Sequence, residues 1–307
     1  MTATPRVSVV MPVFNARRYV GESIASVLTS HFADLELLLL DDGSTDGSVD
    51  AARDAAAGDP RVRIVMLPHG GVGAARNAGL AHARGELIAN LDADDLMLPT
   101  RLSRQVAYLD RHPECVAVGS RALVISASGA PVRIVGRLFT HAAIDQAHLD
   151  GRPGAMLNPT ATFRRQAALD VGGYSAHLRN TGEDHDLWLR LAEVGRLANL
   201  PDVLIRYRIH ERNASLGRAT VDRRRATTIA TLERAFERRG IVDRRAAAGA
   251  WPKRRPSERL ADSALLHYYH GRRRRALVTA LGAWFLSPWS VPARSTIRAV
   301  VSEGASA

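Results

Sequence analysis

Leu35-Glu36-Leu37-Leu38-Leu39-Leu40-Asp41-Asp42-Gly43-Ser44-Thr45-Asp46-Gly47 joins an apolar run to a cluster of acids. The run has the length and composition of a strand buried on both faces. In open α/β sheets, ligands bind outside the carboxyl ends of the strands, so the acids fall where a cleft is expected. A polar turn capped by Ser44 or Thr45 accounts for part of the pattern. Two adjacent carboxylates at the tip of an apolar strand exceed what a turn needs.

Working outward, 7–11, 62–67 and 87–91 also read as buried strands, and Val20, Ile24, Val27 and Leu28 share one face of an intervening helix. This alternation predicts an α/β fold around a mostly parallel sheet. A helix carrying Leu102, Val106 and Leu109 ends before Pro113, and 116–119 reads as another strand. Residues 126–159 have poor periodicity and frequent Gly and Pro, so loops and a hairpin are expected there. An amphipathic helix over 183–194 uses Leu187, Leu191 and Val194, and a strand follows near 203–207. Beyond Arg218 the chain reads as helical, broken at 251–256.

The chain has 307 residues, 46% hydrophobic and 24% charged, with a single cysteine, Cys115. That balance excludes a disordered chain and a disulfide scaffold. A lone cysteine suits a reducing compartment. No basic segment followed by an apolar run opens the chain, so a signal peptide is not expected, and no stretch reaches the ~20 apolar residues of a membrane-spanning helix. The net charge of +11 is unevenly placed: residues 1–205 hold 20 Lys+Arg against 23 Asp+Glu, and 206–307 hold 22 against 8. Four consecutive arginines, Arg272 to Arg275, precede an apolar segment with Trp284, Phe285 and Trp289. The 271–289 stretch has the composition of an interfacial helix attracted to anionic lipid; a helical appendage with a solvated arginine face is the plainer reading. A nucleic-acid-binding role for the basic segment is the alternative from another class. No reading motif or repeated aromatic platform supports it, so nucleic acid is not expected as a partner.

Two more acidic clusters stand at element ends. Asn90-Leu91-Asp92-Ala93-Asp94-Asp95 closes an apolar strand, and carboxylates on alternate residues can converge on a hard divalent cation that bridges to a diphosphate. Glu183-Asp184-His185-Asp186 opens the helix over 183–194. The helix dipole favours acids there by ~0.3–1 kcal/mol each, yet three exceed capping, and one can serve as a general base. Between the first two clusters, His69-Gly70-Gly71-Val72-Gly73 leads into a helix with Arg76 one turn in, a place where an anion can be met. As a dinucleotide fingerprint it fails, because Arg76 stands where a third glycine belongs and the third strand precedes it.

Taken in order, Val7 to Asn15, Asp41 to Asp46, Ala75-Arg76-Asn77-x-Gly79, Leu91 to Asp95 and Glu183-Asp184-x-Asp186-Leu187-Trp188 resemble the motif set of the family 2 glycosyltransferases over residues 6–215. Asn158-Pro159-Thr160, Gly172-Gly173-Tyr174 and Tyr207-Arg208-x-His210 fit as well. The resemblance implies a GT-A-type nucleotide-binding fold in 1–217, followed by a helical, Arg-rich extension over 218–307. It implies an inverting transfer from a nucleotide-diphosphate sugar, UDP by default, to a glycan or lipid-linked acceptor in cell-wall or polysaccharide assembly. Pro12, Val13, Phe14, Asn15 and Asp42 would hold the nucleoside, with Arg76, Asp92 and Ala93 on the donor. Asp94 with Asp92, and His210, would meet Mg²⁺ or Mn²⁺. Asp184 would be the base, and Glu183, Asn158 and Trp188 would face the acceptor. Such an enzyme is expected in the cytoplasm, at the inner face of the membrane if peripheral. A catalytically silent nucleotide-binding member is the second alternative, against which the full set of acids argues.

Overall fold

The computed structural model describes residues 4–152, 154–178, 181–210, 218–242, 260, 264 and 273–287. Described residues within Met1–Ala122, Gly136–Tyr207 and Arg223–Trp251 form one compact unit, and those within Leu123–Val135, Arg208–Asp222 and Pro252–Ala307 a second.

The first unit is built on β1 (Val7–Val13), β2 (Leu35–Asp41), β3 (Val62–Met66) and β4 (Leu87–Asn90), with α1 (Val20–Leu28), α2 (Ser48–Ala56) and α3 (Val72–His82) as crossovers. These four strands are parallel in the order β3-β2-β1-β4. β1, β2 and β4 are buried along nearly their whole length, as expected of a covered parallel sheet, while β3, at its edge, is half-buried. Glu36, the one acid inside the β2 run, is buried and satisfied by Ser8 at 2.7 Å and by Arg63 and Arg84 at 2.9 Å each. Register pairs Val13 with Asp41 and Asp41 with Met66, so the loops after β1, β2 and β3 leave from one edge.

Past β4 the sheet is no longer all parallel. The strands β5 (Leu96–Met97), β6 (Cys115–Ile125), β8 (Thr162–Arg164) and β9 (Arg196–Arg208) continue it in the order β4-β8-β6-β9-β5, and β7 (Pro131–Val135) pairs with β6. β8 runs antiparallel to both β4 and β6, making a mixed sheet. The expected hairpin is β6–β7, closed by Ser126 N–H to Ala130 O at 2.8 Å.

Helices α4 (Arg101–Arg111), α5 (His141–Leu149), α6 (Arg165–Asp170) and α7 (Glu183–Val194) complete the layers. Leu187, Trp188 and Leu191 of α7 are buried, whereas Val194, expected on that face, is exposed at the last turn. Helix α8 (Arg218–Arg238) buries Leu232, Ala235 and Phe236 against Leu189 of α7, within the first unit. Helix α9 (Arg273–Leu286) lies in the second unit. The break at 251–256, Arg272 and Trp289 lie outside the described residues. Among the described residues, no helix is long and apolar enough to cross a membrane.

Candidate active site

Helix α3 organises the rim at the carboxyl ends of β1 to β4. At its start, Gly71 takes φ +89°, a conformation that favours glycine, and this turns the backbone N–H groups of Gly70 and Gly71 toward Asp42. Asp42 Oδ1 accepts from Gly70 at 2.7 Å and Oδ2 from Gly71 at 2.9 Å, with His69 Nδ1 3.0 Å from Oδ2. Asp42 is buried and holds this turn. The exposed ring of Phe14 stacks on His69 with centroids 4.4 Å apart. Asn15, at φ +50°, latches the β1 loop to the β2 loop: its N–H donates to Ser44 Oγ at 3.0 Å, and its Oδ1 accepts from Thr45 N–H at 2.9 Å.

One turn into α3, Arg76 is 5% exposed. Its guanidinium donates to Asp92 Oδ1 and to Glu183 Oε1, both at 2.9 Å, and lies 5.6 Å from the Tyr174 ring centroid. With the Asn158 amide oxygen turned toward it, Asn158 accepts from Arg76 Nε at 3.2 Å and Nη2 at 2.9 Å. The second and third acidic clusters, some ninety residues apart in the chain, thus meet on one buried cation. Asn90, on β4, bonds the Tyr174 hydroxyl at 2.6 Å and continues the network. Asn77 then fixes the Tyr174 backbone on both sides, donating to its carbonyl at 2.7 Å and accepting from its N–H at 2.8 Å. Asn77, Asn90 and Tyr174 had no individual role in the sequence reading. Each stands inside a motif of the sequence, Asn77 beside Arg76, Asn90 before Asp92 and Tyr174 after Gly172-Gly173, and Gly173, at φ +67°, packs directly on the Asn77 amide.

Electrostatics follow from three carboxylates around one guanidinium. Burial and then the nearby Asp184 charge push the Glu183 carboxyl above its usual value, against the pull of Arg76. Asp92 is likewise raised, by burial foremost and by Asp94 and Asp184, with Arg76 opposing. Burial would depress Arg76, but Asp92, Tyr174, Glu183 and Asp184 hold it above its ordinary value.

The three acids opening α7 therefore differ. Glu183 is buried on Arg76, and Asp186 is buried on Ser175 Oγ at 2.6 Å and Arg190 Nη2 at 2.6 Å. Asp184 is half-buried, and among the described residues its carboxylate accepts the backbone N–H of His185 at 2.8 Å. Asp94 is half-buried beside Asp92, while Ala93 is buried with its carbonyl accepting from Ser23 Oγ at 2.8 Å.

Several expectations are corrected. Trp188 packs in the core, edge-on to Phe163 at 5.8 Å, because the α7 apolar stripe faces the sheet, so it does not face an acceptor. Glu183 and Asn158 are turned inward by Arg76 and do not line an open acceptor surface. Arg76 itself is enclosed by acids and does not lie open to a diphosphate. Apart from these corrections, His210 is buried and belongs to the second unit.

Among the described residues, no three His, Cys, Asp or Glu side chains stand together as a complete metal cage. Mg²⁺ and Mn²⁺ in phosphate-transfer sites are ordinarily held by one or two carboxylates plus substrate oxygens and water. Asp94, half-buried beside an excess of negative charge around Asp92, matches that donor set.

The profile of glycosyl transferase family 2 matches residues 8–171. A putative glycosyltransferase, EpsE, of Bacillus subtilis (strain 168) is 34% identical over 213 residues, covering 68% of this chain and 74% of the relative. The chain belongs to glycosyl transferase family 2. The O-antigen biosynthesis glycosyltransferase WbnJ of Escherichia coli is 30% identical, with 67% and 81% covered. Among solved structures, the mannosyltransferase PcManGT from Pyrobaculum calidifontis, in complex with GDP-Man and Mn²⁺, aligns with a TM-score of 0.61 at 21% identity over 99% of this chain and 87% of that one. S. aureus TarS 1-349 in complex with UDP-GlcNAc aligns at 0.58 and 16% identity over 98% and 92%. At these identities the likeness shows the fold, which is GT-A type, with the mixed sheet described above. This family 2 glycosyltransferase therefore carries its acidic motifs on the rim where a GT-A sheet opens.

Proposed function

We propose that this family 2 glycosyltransferase inverts the anomeric centre of a nucleoside-diphosphate sugar, a UDP-sugar by default, as it transfers the sugar to a hydroxyl of a glycan or lipid-linked acceptor. One observation carries the assignment of the base. Of the three acids opening α7, two are buried in ion pairs, and Asp184 is the half-buried one beside them. Names among the relatives support polysaccharide assembly, including amylovoran and O-antigen biosynthesis glycosyltransferases. Residues 1–217 carry the transfer in this reading, 218–307 being the helical extension, and a lipid-linked acceptor places the work at the cytoplasmic face of a membrane.

Pro12, Val13, Phe14 and Asn15 hold the nucleoside, and Asp42 contributes through the turn that sets His69 beside Phe14. Arg76 acts by fixing Asp92 and Glu183, so that Asp92, Ala93 and Asp94 present the donor side of the rim. Asp184 takes the proton from the acceptor hydroxyl as its oxygen bonds to the anomeric carbon. The bond from that carbon to the diphosphate oxygen breaks on the opposite face, which inverts the centre. A bound Mg²⁺ or Mn²⁺ at Asp94 would offset the charge gathering on the departing diphosphate. No acid is then needed for the leaving group, and one carboxylate suffices.

Asp184→Asn keeps the shape and removes the base. Turnover is expected to fall by ~10²–10⁴ with donor affinity retained. Near-normal turnover would remove Asp184 from the role.

A further inference from the structure

Helix α9 is inside out. Its small residues, Ala276, Ala280 and Ala283, share one face and are buried, the first two with Ala264 and the third beside Leu260. At 100° per residue the opposite face gathers Val278, Leu281 and Phe285, flanked by Leu277 and Trp284, and all five are exposed, Val278 by 70% and Phe285 by 75%. A helix that packs only on its own protein buries its large apolar side chains and turns small or polar ones outward. Contiguous exposed apolar surface of this kind marks an interaction site.

Charge selects the occupant. Arg274 and Arg275 are exposed at the start of α9, and Arg274 stands one turn before Val278, in the outward row that continues through Leu281 and Phe285. No acid occurs between residues 271 and 289. The partner must accept large apolar side chains and answer arginines with negative charge. A second copy of the chain would bring the same arginines and no acid from this face. At 14 residues, α9 is about 21 Å long, too short to cross a bilayer and suited to lying in its interface.

We infer that α9 docks the chain on a bilayer rich in anionic phospholipid. The row of Val278, Leu281 and Phe285 enters the headgroup boundary, and Arg274 and Arg275 meet lipid phosphates. The inference stands on α9 alone and is independent of the transfer chemistry.

Sedimentation of the full chain with vesicles tests it, using phosphatidylcholine with or without phosphatidylglycerol. The chain is expected to sediment with the anionic vesicles and to be released by salt. Arg274→Ser with Arg275→Ser is expected to weaken that binding by about tenfold or more, and Val278→Glu with Phe285→Glu to abolish it. All four positions are exposed, so the circular dichroism spectrum should be unchanged. Equal binding by the wild type and the Val278→Glu/Phe285→Glu variant overturns the inference. So does equal binding to neutral vesicles, or a dimer that this variant splits while the wild type ignores vesicles.

Discussion

Asp92, Glu183 and Asp184 share the field of a single buried guanidinium, and that imbalance is the chemical signature of the site. An acid whose folded value is raised binds its proton more tightly in the native state. Its stabilising effect is full below the usual value of 4.5 and is lost as pH climbs from there to the raised value. Glu183 therefore makes the protein less stable as pH rises through that window. Glu183→Gln removes the titration, so the melting temperature should fall less in the variant than in the wild type as pH climbs above 4.5. Parallel curves would contradict the raised value. At this scale the sequence shows which acids matter but not their division of labour. Glu183, Asp184 and Asp186 are neighbours in the chain, and it is the placement of Arg76 and Arg190 that separates two ion-paired acids from Asp184, the proposed base.

At the scale of elements, α3 does the positioning. Asp42 holds its first turn, Arg76 ties it to Asp92 and α7, and Asn77 ties it to Tyr174. Gly79 lets it approach β1, since a Cβ there would stand 2.5 Å from Val10 Cγ1. Gly79→Ala should lower the denaturant midpoint. Overpacking at the upper end of ~1–3 kcal/mol outweighs the ~1 kcal/mol by which a helix prefers alanine. An unchanged or higher midpoint would show that the contact can relax. The parallel strands were legible because both faces are apolar. Helix α5 was not, because its buried residues are Ile144, Ala147 and His148, too few and too small for a visible stripe. Its one clear sign was Thr140, whose side chain accepts from Ala143 N–H at 3.4 Å. The antiparallel strand β8 escaped for a different reason: it has three residues, and its pairing with β4 and β6 spans long separations that periodicity cannot carry.

At the scale of the whole molecule, charge and catalysis occupy different parts of the chain. The acidic motifs lie in residues 1–205, where acids outnumber bases by 23 to 20, and the arginine excess follows. The family match over 8–171 covers the first two acidic clusters and stops short of Asp184, whose neighbour Glu183 is tied to Asp92 through Arg76. If the acidic motifs converge on one donor-holding rim, calorimetric titration of UDP-sugars with and without Mn²⁺ reads that convergence. Ligand that binds the folded state also raises the melting temperature by a computable amount, which gives a second readout on the same samples. Donor binding by the wild type is expected to depend on Mn²⁺, and Asp94→Ala to lose that dependence together with about tenfold or more in affinity. Donor binding that ignores the metal, or an Asp94→Ala variant that binds donor and Mn²⁺ as the wild type does, would contradict it.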